Sequence, residues 1–369
     1  MTYKKISIDN LLEWFSRNKR DLPWRKTKNP YHIWISEVML QQTQVATVIP
    51  YYHRFLEKFP TIKDLAEAKP DELMKCWEGL GYYARARNLQ HAAQTIIREH
   101  DGNLPRTRAS LQLLKGFGAY TSASVASLAF GEDCAAIDGN VLRVFARVYA
   151  LREDIRQLKT KSKIGSLATL NLPKGRAGEF NEALMELGAM VCTPKNPQCS
   201  TCPLRQDCFA LRQNDASSYP FKSPKPKIPH HEIAIGIVQR GEQVLIALRP
   251  PNGLLGNLWE FPGGKKEGHE SLVDCCKREV EEETGLHVEV GERIAVVKHT
   301  YTHFKITLHA FLCAYQSGEA HPKSSQEIRW VKIHELGQFA FPKANKSVIN
   351  ALLFRSESSV GSLFEPTVL

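Results

Sequence analysis

Four cysteines and two carboxylates stand out in this 369-residue sequence as groups whose type and spacing could do chemistry. Cys192, Cys199, Cys202 and Cys208 follow one another as C-x6-C-x2-C-x5-C, all within 17 positions. Thiolates this close in sequence can surround one metal centre without a long chain excursion, and zinc and iron–sulfur clusters both accept such a set. Zinc sites commonly carry paired C-x2-C units and only one such pair is present, but the spacing alone leaves zinc open. Cys76, Cys134, Cys275, Cys276 and Cys313 are scattered and read as small apolar core residues, not as a disulfide framework.

Glu37 stands in Trp34-Ile35-Ser36-Glu37-Val38-Met39-Leu40-Gln41-Gln42-Thr43. A solvated helical face is the usual fate of Glu and Gln. Within so apolar a stretch, however, an unpaired carboxylate is costly and its pKa rises, which suits a general acid near neutral pH. Asp138, in Ala136-Ile137-Asp138-Gly139-Asn140-Val141, also has apolar neighbours. Taken alone it is as readily a helix cap or a buried ion-pair partner as a catalytic group. Some twenty residues earlier, Leu114-Lys115-Gly116-Phe117-Gly118-Ala119-Tyr120-Thr121 sets two glycines before a helical stretch. Unhindered amides and a helix N-terminus can together hold a phosphate, although a lone G-x-G is more often a plain turn. Far downstream, Glu279, Glu282 and Glu283 share one face of a probable helix. Three clustered carboxylates suit a hard cation such as Mg²⁺, the alternative being an ordinary acidic, exposed helix.

The elements that must position these groups fall into two parts. The chain is long enough for two cores, and its 43% hydrophobic and 24% charged residues are those of an ordinary globular protein. Up to His230 there are 34 Lys and Arg against 22 Asp and Glu; after it, 15 against 17. The first part therefore carries the whole net charge of +10, as a surface meeting a polyanion should. Apolar residues recur at helical spacing over 33–48, 65–77, 84–97 and 180–191, with Pro and Gly between. Over 213–231 four prolines and three lysines read as an extended linker. Beyond it, strands are expected over 233–238, 244–248, 293–298 and 306–315, and a helix over 271–283. The expected organisation is a mostly α domain over 1–212, the linker, an α+β domain over 232–356, and a loose tail over 357–369. No run of about 18 apolar residues argues for a membrane span. The N-terminus lacks the apolar core of a secretory signal, so a cytoplasmic protein is expected.

With its cysteine spacing, its glycine hairpin and Asp138, the first part resembles the endonuclease III superfamily of DNA glycosylases, built on a helix–hairpin–helix. The resemblance implies a [4Fe–4S] cluster on the four cysteines, in a loop whose Lys195 and Arg205 face DNA, and a catalytic role for Asp138. Superfamily members that also cut the sugar use a lysine two residues after the second hairpin glycine. Here that residue is Tyr120, so a simple hydrolase is implied. The segment around Glu37, with Leu22-Pro23-Trp24-Arg25, Gly79-Leu80-Gly81-Tyr82-Tyr83-Ala84-Arg85 and Phe180–Gly188, resembles the MutY family of adenine-removing glycosylases over nearly all of 7–211. By that likeness Glu37 protonates the departing adenine, Asp138 stabilises the sugar cation, and Tyr120 and Asn140 position them. Trp24, Arg25, Leu40, Gln42 and Glu182 line the adenine pocket, and Tyr82 wedges beside the opposing base.

The second part resembles the Nudix-like domain of that family. Its lesion-reading loop is usually Phe-Ser-His, and Tyr301-Thr302-His303 stands in its place, with Thr302 and His303 as the implied contacts to 8-oxoguanine. Gly264-x5-Glu270-x7-Arg278-Glu279-Val280-Glu281-Glu282-Glu283-Thr284-Gly285-Leu286 matches a complete Nudix box, usually eroded in the family, and with it a possible Mg²⁺ site. The implied substrate is double-stranded DNA holding adenine opposite 8-oxoguanine or guanine, met by a monomer. Rival readings are an added Mg²⁺-dependent nucleotide hydrolase, a thymine-mismatch glycosylase on the same scaffold, a dedicated Nudix hydrolase, and a non-enzymatic DNA-binding protein with a redox cluster.

Overall fold

The computed structural model describes residues 3–224 and 226–361, with side chains as far as Arg355. The chain forms two compact units, Met1–Glu67 with Arg87–Lys225, and Ala68–Ala86 with Pro226–Leu369. In chain order the helices are α1 (Ile8–Asn18), α2 (Pro30–Leu40), α3 (Val45–Lys58), α4 (Ile62–Glu67), α5 (Pro70–Trp77), α6 (Ala84–Glu99), α7 (Arg108–Leu111), α8 (Ala119–Phe130), α9 (Gly139–Val148), α10 (Leu158–Asn171), α11 (Ala177–Met190) and α12 (Phe209–Arg212).

In the first unit the cap chemistry fits the boundaries. Asn29 accepts the Tyr31 amide at 2.9 Å, with Pro30 at the first helical position of α2. One core gathers Leu11 and Phe15 of α1, Val144 and Phe145 of α9, and Phe180, Leu184 and Leu187 of α11. Each such side chain contributes about 1.5–3 kcal/mol by leaving water. Two glycines set close approaches. A Cβ on Gly188 would lie 2.5 Å from the Asn140 Cβ, so α11 meets the start of α9 at a distance only glycine permits. Gly116 has φ +89°, and a Cβ there would lie 2.7 Å from that of Asn88 on α6. The hairpin before α8 is thereby held in one shape.

The helical periodicity over 33–48 breaks in two, because Gln42 adopts a left-handed φ of +58° between α2 and α3 without any Gly or Pro to announce it. The stretch 65–77 likewise splits into α4 and α5 at Pro70. The first half of the expected linker is not free chain. Arg147 donates to the Tyr219 carbonyl at 3.0 Å, Ile155 to that of Phe221 at 3.3 Å, and the Ser223 amide to Asp154 at 3.0 Å.

The second unit is built on a mixed sheet of β1 (His230–Arg240), β2 (Gln243–Leu248), β3 (Trp259–Glu260), β4 (Gly263–Lys265), β5 (His287–Thr300), β6 (Lys305–Ser317) and β7 (Glu327–Lys332). The main order is β3-β2-β1-β6-β5, with β4 paired to β1 and β7 to β2; β1 and β6 run parallel. Successive side chains point to opposite faces. On one face Ala234 and Val238 pack with Cys276 and Val280 of α13 (Leu272–Thr284). On the other, Ile235 and Ile237 pack with Val348 and Leu352 of α14 (Lys343–Gly361). Both faces of β1 are covered, which is why its stretch 233–238 is continuously apolar. The segment Ala68–Ala86, expected within the first domain, groups here because its polar side chains bond to residues near Trp259 and Phe341. The expected loose tail over 357–369 continues α14 as helix to Gly361, and 362–369 lie outside the described residues.

Candidate active site and cysteine loop

A cleft of about 1590 Å³ in the first unit gathers residues distant in sequence: Trp24, Arg25, Glu37, Leu40, Gln42, Tyr120, Asp138, Asn140 and Glu182 all line it. Glu37 comes from α2, whose residues from Ile33 to Met39 are buried, and is itself 5% exposed. The Tyr120 hydroxyl, from the first turn of α8, donates to Glu37 Oε2 at 2.6 Å. Burial pushes the Glu37 carboxyl up to about 7, against that hydrogen bond and helped by the charges of Glu182 and Asp138. Burial and the Glu37 charge also hold the Tyr120 phenol well above its ordinary value, so it acts as a donor and not as a base.

Asp138 is the N-cap of α9: its Oδ1 accepts the Val141 amide at 2.7 Å, and its Oδ2 accepts Asn140 Nδ2 at 2.7 Å. The helix-cap reading and the cleft-lining one therefore describe the same side chain. Burial raises its pKa in spite of these hydrogen bonds. The cleft thus holds one carboxyl able to carry a proton near neutrality and a second held by two donors, a pairing suited to acid-assisted cleavage through a cationic intermediate.

The sequence missed part of the cleft. Arg25 donates to Glu182 at 2.9 Å and to Glu186 at 3.0 Å, and Arg20 makes three bonds to Glu186, at 2.9 Å from its amide and 2.8 and 2.7 Å from its guanidinium. Burial works against charge on both sides of this cluster. The two arginines nevertheless pull Glu186 down to about 2, and the two glutamates raise Arg25. The signal was present, since Glu182 and Glu186 are four apart on α11 and like charges at that spacing repel unless a cation joins them. Trp24, in a short 3-10 turn, packs its ring edgewise against Tyr52 at 5.5 Å. Gln42 is exposed at the left-handed turn after α2, and Gly116 and Gly118 border the same cleft.

Cys192, Cys199, Cys202 and Cys208 line a single small cavity with Val144, Arg147, Leu187 and Val191, and all four are free thiols. Burial, with the other three sulfurs adding to it, raises the Cys202 thiol to about 12. A set of thiolates there calls for cationic compensation. Arg147 supplies one N–H to Cys192 Sγ at 3.3 Å and another to the Thr193 carbonyl at 2.7 Å. Among the described residues no three His, Cys, Asp or Glu converge closely enough to hold a single ion. Four sulfurs around a cavity, with apolar walls and a guanidinium donor, fit an iron–sulfur cluster better than one zinc. From the same helix, Arg143 donates to Asn140 Oδ1 at 2.8 Å and to the Cys192 carbonyl at 2.7 Å.

Tyr82, Thr302 and His303 do not line the cleft; they belong to the second unit. Residues 301–304 form the turn between β5 and β6, closed by the Tyr301 amide on the Phe304 carbonyl at 2.8 Å, and leave Thr302 and His303 exposed. The Tyr82 and Thr302 hydroxyls are 2.9 Å apart. In the Nudix box, Arg278 pairs with Glu270, Glu279 and Glu282 at 2.9, 3.0 and 3.1 Å, and Glu283 accepts from the Gly263 amide at 3.0 Å and from Ser324 at 3.1 Å. These carboxylates make their hydrogen bonds and ion pairs within the chain, and among the described residues no three of them stand together as ligands of one ion.

Residues 35–169 match the HhH-GPD superfamily of base excision DNA repair proteins, 192–208 the iron–sulfur binding domain of endonuclease III, and 233–351 the NUDIX domain. The adenine DNA glycosylase of Homo sapiens is 34% identical over 395 residues, covering 92% of this chain and 72% of that protein. The adenine DNA glycosylase of Mus musculus is also 34% identical, covering 92% and 76%. The solved structure of a thermostable thymine-DNA glycosylase superposes with a TM-score of 0.52 at 31% identity, over 56% of this chain and 95% of that one. The relatives matched across both parts of the chain thus remove adenine, and the thymine likeness is confined to a shorter span. The iron–sulfur match agrees with the ring of thiols: the chain binds an iron–sulfur cluster.

Glu186 yields a stability prediction. Its folded pKa lies below the ordinary value, so its contribution is complete above pH about 4.5 and is lost as pH falls toward about 2. Glu186→Gln is expected to destabilise by about 3 kcal/mol at neutral pH. In urea unfolding the difference from the unmodified protein should shrink across that acidic window.

Proposed function

The chain belongs to the adenine DNA glycosylase family, and on that premise we propose that it hydrolyses the N-glycosidic bond of adenine paired with 8-oxoguanine or guanine, leaving an abasic site and an uncut sugar. The observation that carries this reading is the buried Glu37 carboxyl under the Tyr120 hydroxyl, in the cleft that Asp138 also lines. An adenine inside a duplex is out of reach, so it must be flipped into the cleft. Trp24, Arg25, Leu40, Gln42 and Glu182 receive it. Glu37, protonated near neutrality, gives its proton to N7 as the bond to C1′ breaks and adenine departs with the bonding electrons. Asp138 faces the cationic sugar, steadied by Asn140 and Val141. Water then adds its oxygen at C1′, and its proton passes to a cleft carboxylate. Tyr120 offers no amine, so no Schiff base forms at the sugar.

In this reading Cys192, Cys199, Cys202 and Cys208 hold a [4Fe–4S] cluster, which when bound holds the loop carrying Lys195 and Arg205 in the shape that meets DNA phosphates. Tyr82 enters the stack beside the opposing base, and Thr302 and His303 read its 8-oxo edge.

Four outcomes are expected. Glu37→Gln should slow adenine release from A·8-oxoguanine duplex by about 10²–10⁴-fold while duplex binding persists. In the unmodified enzyme the active form of Glu37 is the protonated one, so the single-turnover rate should fall as pH rises through about 7; a rate that stays flat into alkali would remove it as the acid. Borohydride added during turnover should trap no protein–DNA adduct, and a covalent adduct would mean lyase chemistry. Metal analysis should give about four irons and four sulfides per chain, whereas one zinc would reverse the cluster assignment.

A further inference from the structure

The segment Ala68–Ala86 interrupts the first unit in sequence but belongs to the second in space. Its hold is polar and specific. Trp259 Nε1 donates to Asp71 at 3.2 Å, and Lys75 Nζ donates to the Phe339 carbonyl at 3.0 Å. Glu78 is the centre of this hold. Its side chain is 7% exposed; Oε1 accepts the Phe341 amide at 3.0 Å, and Oε2 lies 3.0 Å from both Lys75 Nζ and Lys346 Nζ. A carboxylate with one backbone amide and two ammonium groups has one position available to it, and it ties α5 to both ends of the Phe341–Lys346 stretch.

The turn that follows is equally constrained. Gly79, Gly81 and Tyr82 all have positive φ, of 103°, 71° and 48°. The Arg85 guanidinium donates to the Leu80 and Gly81 carbonyls at 3.1 and 3.0 Å, and Trp77 Nε1 to the latter at 3.2 Å. A left-handed φ on a non-glycine residue such as Tyr82 persists only where its surroundings enforce it. The outcome is Tyr82 presented 46% exposed, its hydroxyl 2.9 Å from that of Thr302.

We propose that Glu78 is a positioning residue for opposite-base recognition: by clamping 68–86 onto the second unit it holds Tyr82 beside Thr302, and preference for 8-oxoguanine over guanine depends on it. The inference rests on the reading of Tyr82 and Thr302 as the pair that meets the opposing base. Glu78 touches no substrate in this scheme. Its removal releases the segment carrying Tyr82, so the pair must be ordered at the moment of binding, and the cost falls on the lesion it is shaped to read.

The test measures second-order single-turnover rates of adenine release by the full-length, iron–sulfur-loaded protein on A·8-oxoguanine and A·G duplexes. Glu78→Ala is expected to lower the preference for A·8-oxoguanine by about tenfold, with release from A·G within about twofold of the unmodified enzyme, and Thr302→Val added to it should cause no further loss of preference. Glu78→Gln keeps an acceptor for the Phe341 amide and should fall between, which guards against a fold lost in the alanine variant. Undiminished preference in both Glu78 variants, proportionate loss on both duplexes, or losses from Glu78→Ala and Thr302→Val that simply add would overturn the proposal. An unmodified enzyme whose preference ignores Tyr82→Ala and Thr302→Val would instead defeat the reading of that pair, and this inference with it.

Discussion

The short hydrogen bond from Tyr120 to Glu37 joins helices 83 residues apart in sequence and sets the chemistry of the cleft. A carboxylate taken out of water either finds charge compensation or takes up a proton. Glu37 has a neutral donor and no guanidinium, so it keeps a proton available near pH 7. On the lining of the same cleft Glu186 meets the opposite fate, because Arg20 and Arg25 lie against it. One cleft thereby contains a carboxyl held near neutrality and another held firmly ionised, and the difference is made by which cations the fold brings near.

Helix α9 carries this arrangement from the cleft to the cysteine loop. Asp138 caps its first turn, Asn140 steadies Asp138, Arg143 joins Asn140 to the Cys192 carbonyl, and Arg147 reaches the Cys192 sulfur. The 3.6-residue period puts Asn140, Arg143 and Arg147 on one side while Val141, Val144, Phe145 and Val148 enter the core. Gly188 lets α11 come close enough to fix Asn140 in place. The cysteine loop and the carboxylate in the cleft are thus linked by hydrogen bonds through one helix.

The second unit shows a different economy. A Nudix domain complete in its sequence box has Glu279 and Glu282 of its acidic helix paired with Arg278 of the same helix, and its exposed β5–β6 turn carries Thr302. Recruiting 68–86 from the helical part of the chain adds Tyr82 to that turn, so side chains 220 residues apart meet on one surface.

What the sequence determined by itself was residue chemistry and local form. The cysteine spacing, the apolar setting of Glu37, the glycine hairpin, the long helices and the alternating strands are local patterns, written within a few turns of chain. Sequence likeness supplied the roles proposed for Asp138 and Tyr120; the residues alone left Asp138 open between cap and catalyst. The tertiary structure decided what depends on distant neighbours. It split 33–48 at an unannounced left-handed Gln42, docked the start of the linker on Asp154, and moved 68–86 into the second unit. It also made Arg25 the partner of Glu182 and Glu186, 157 and 161 residues away. The pairing with Glu186 turns on which charges share a low-dielectric space, and a linear pattern carries no record of a contact made across 161 residues.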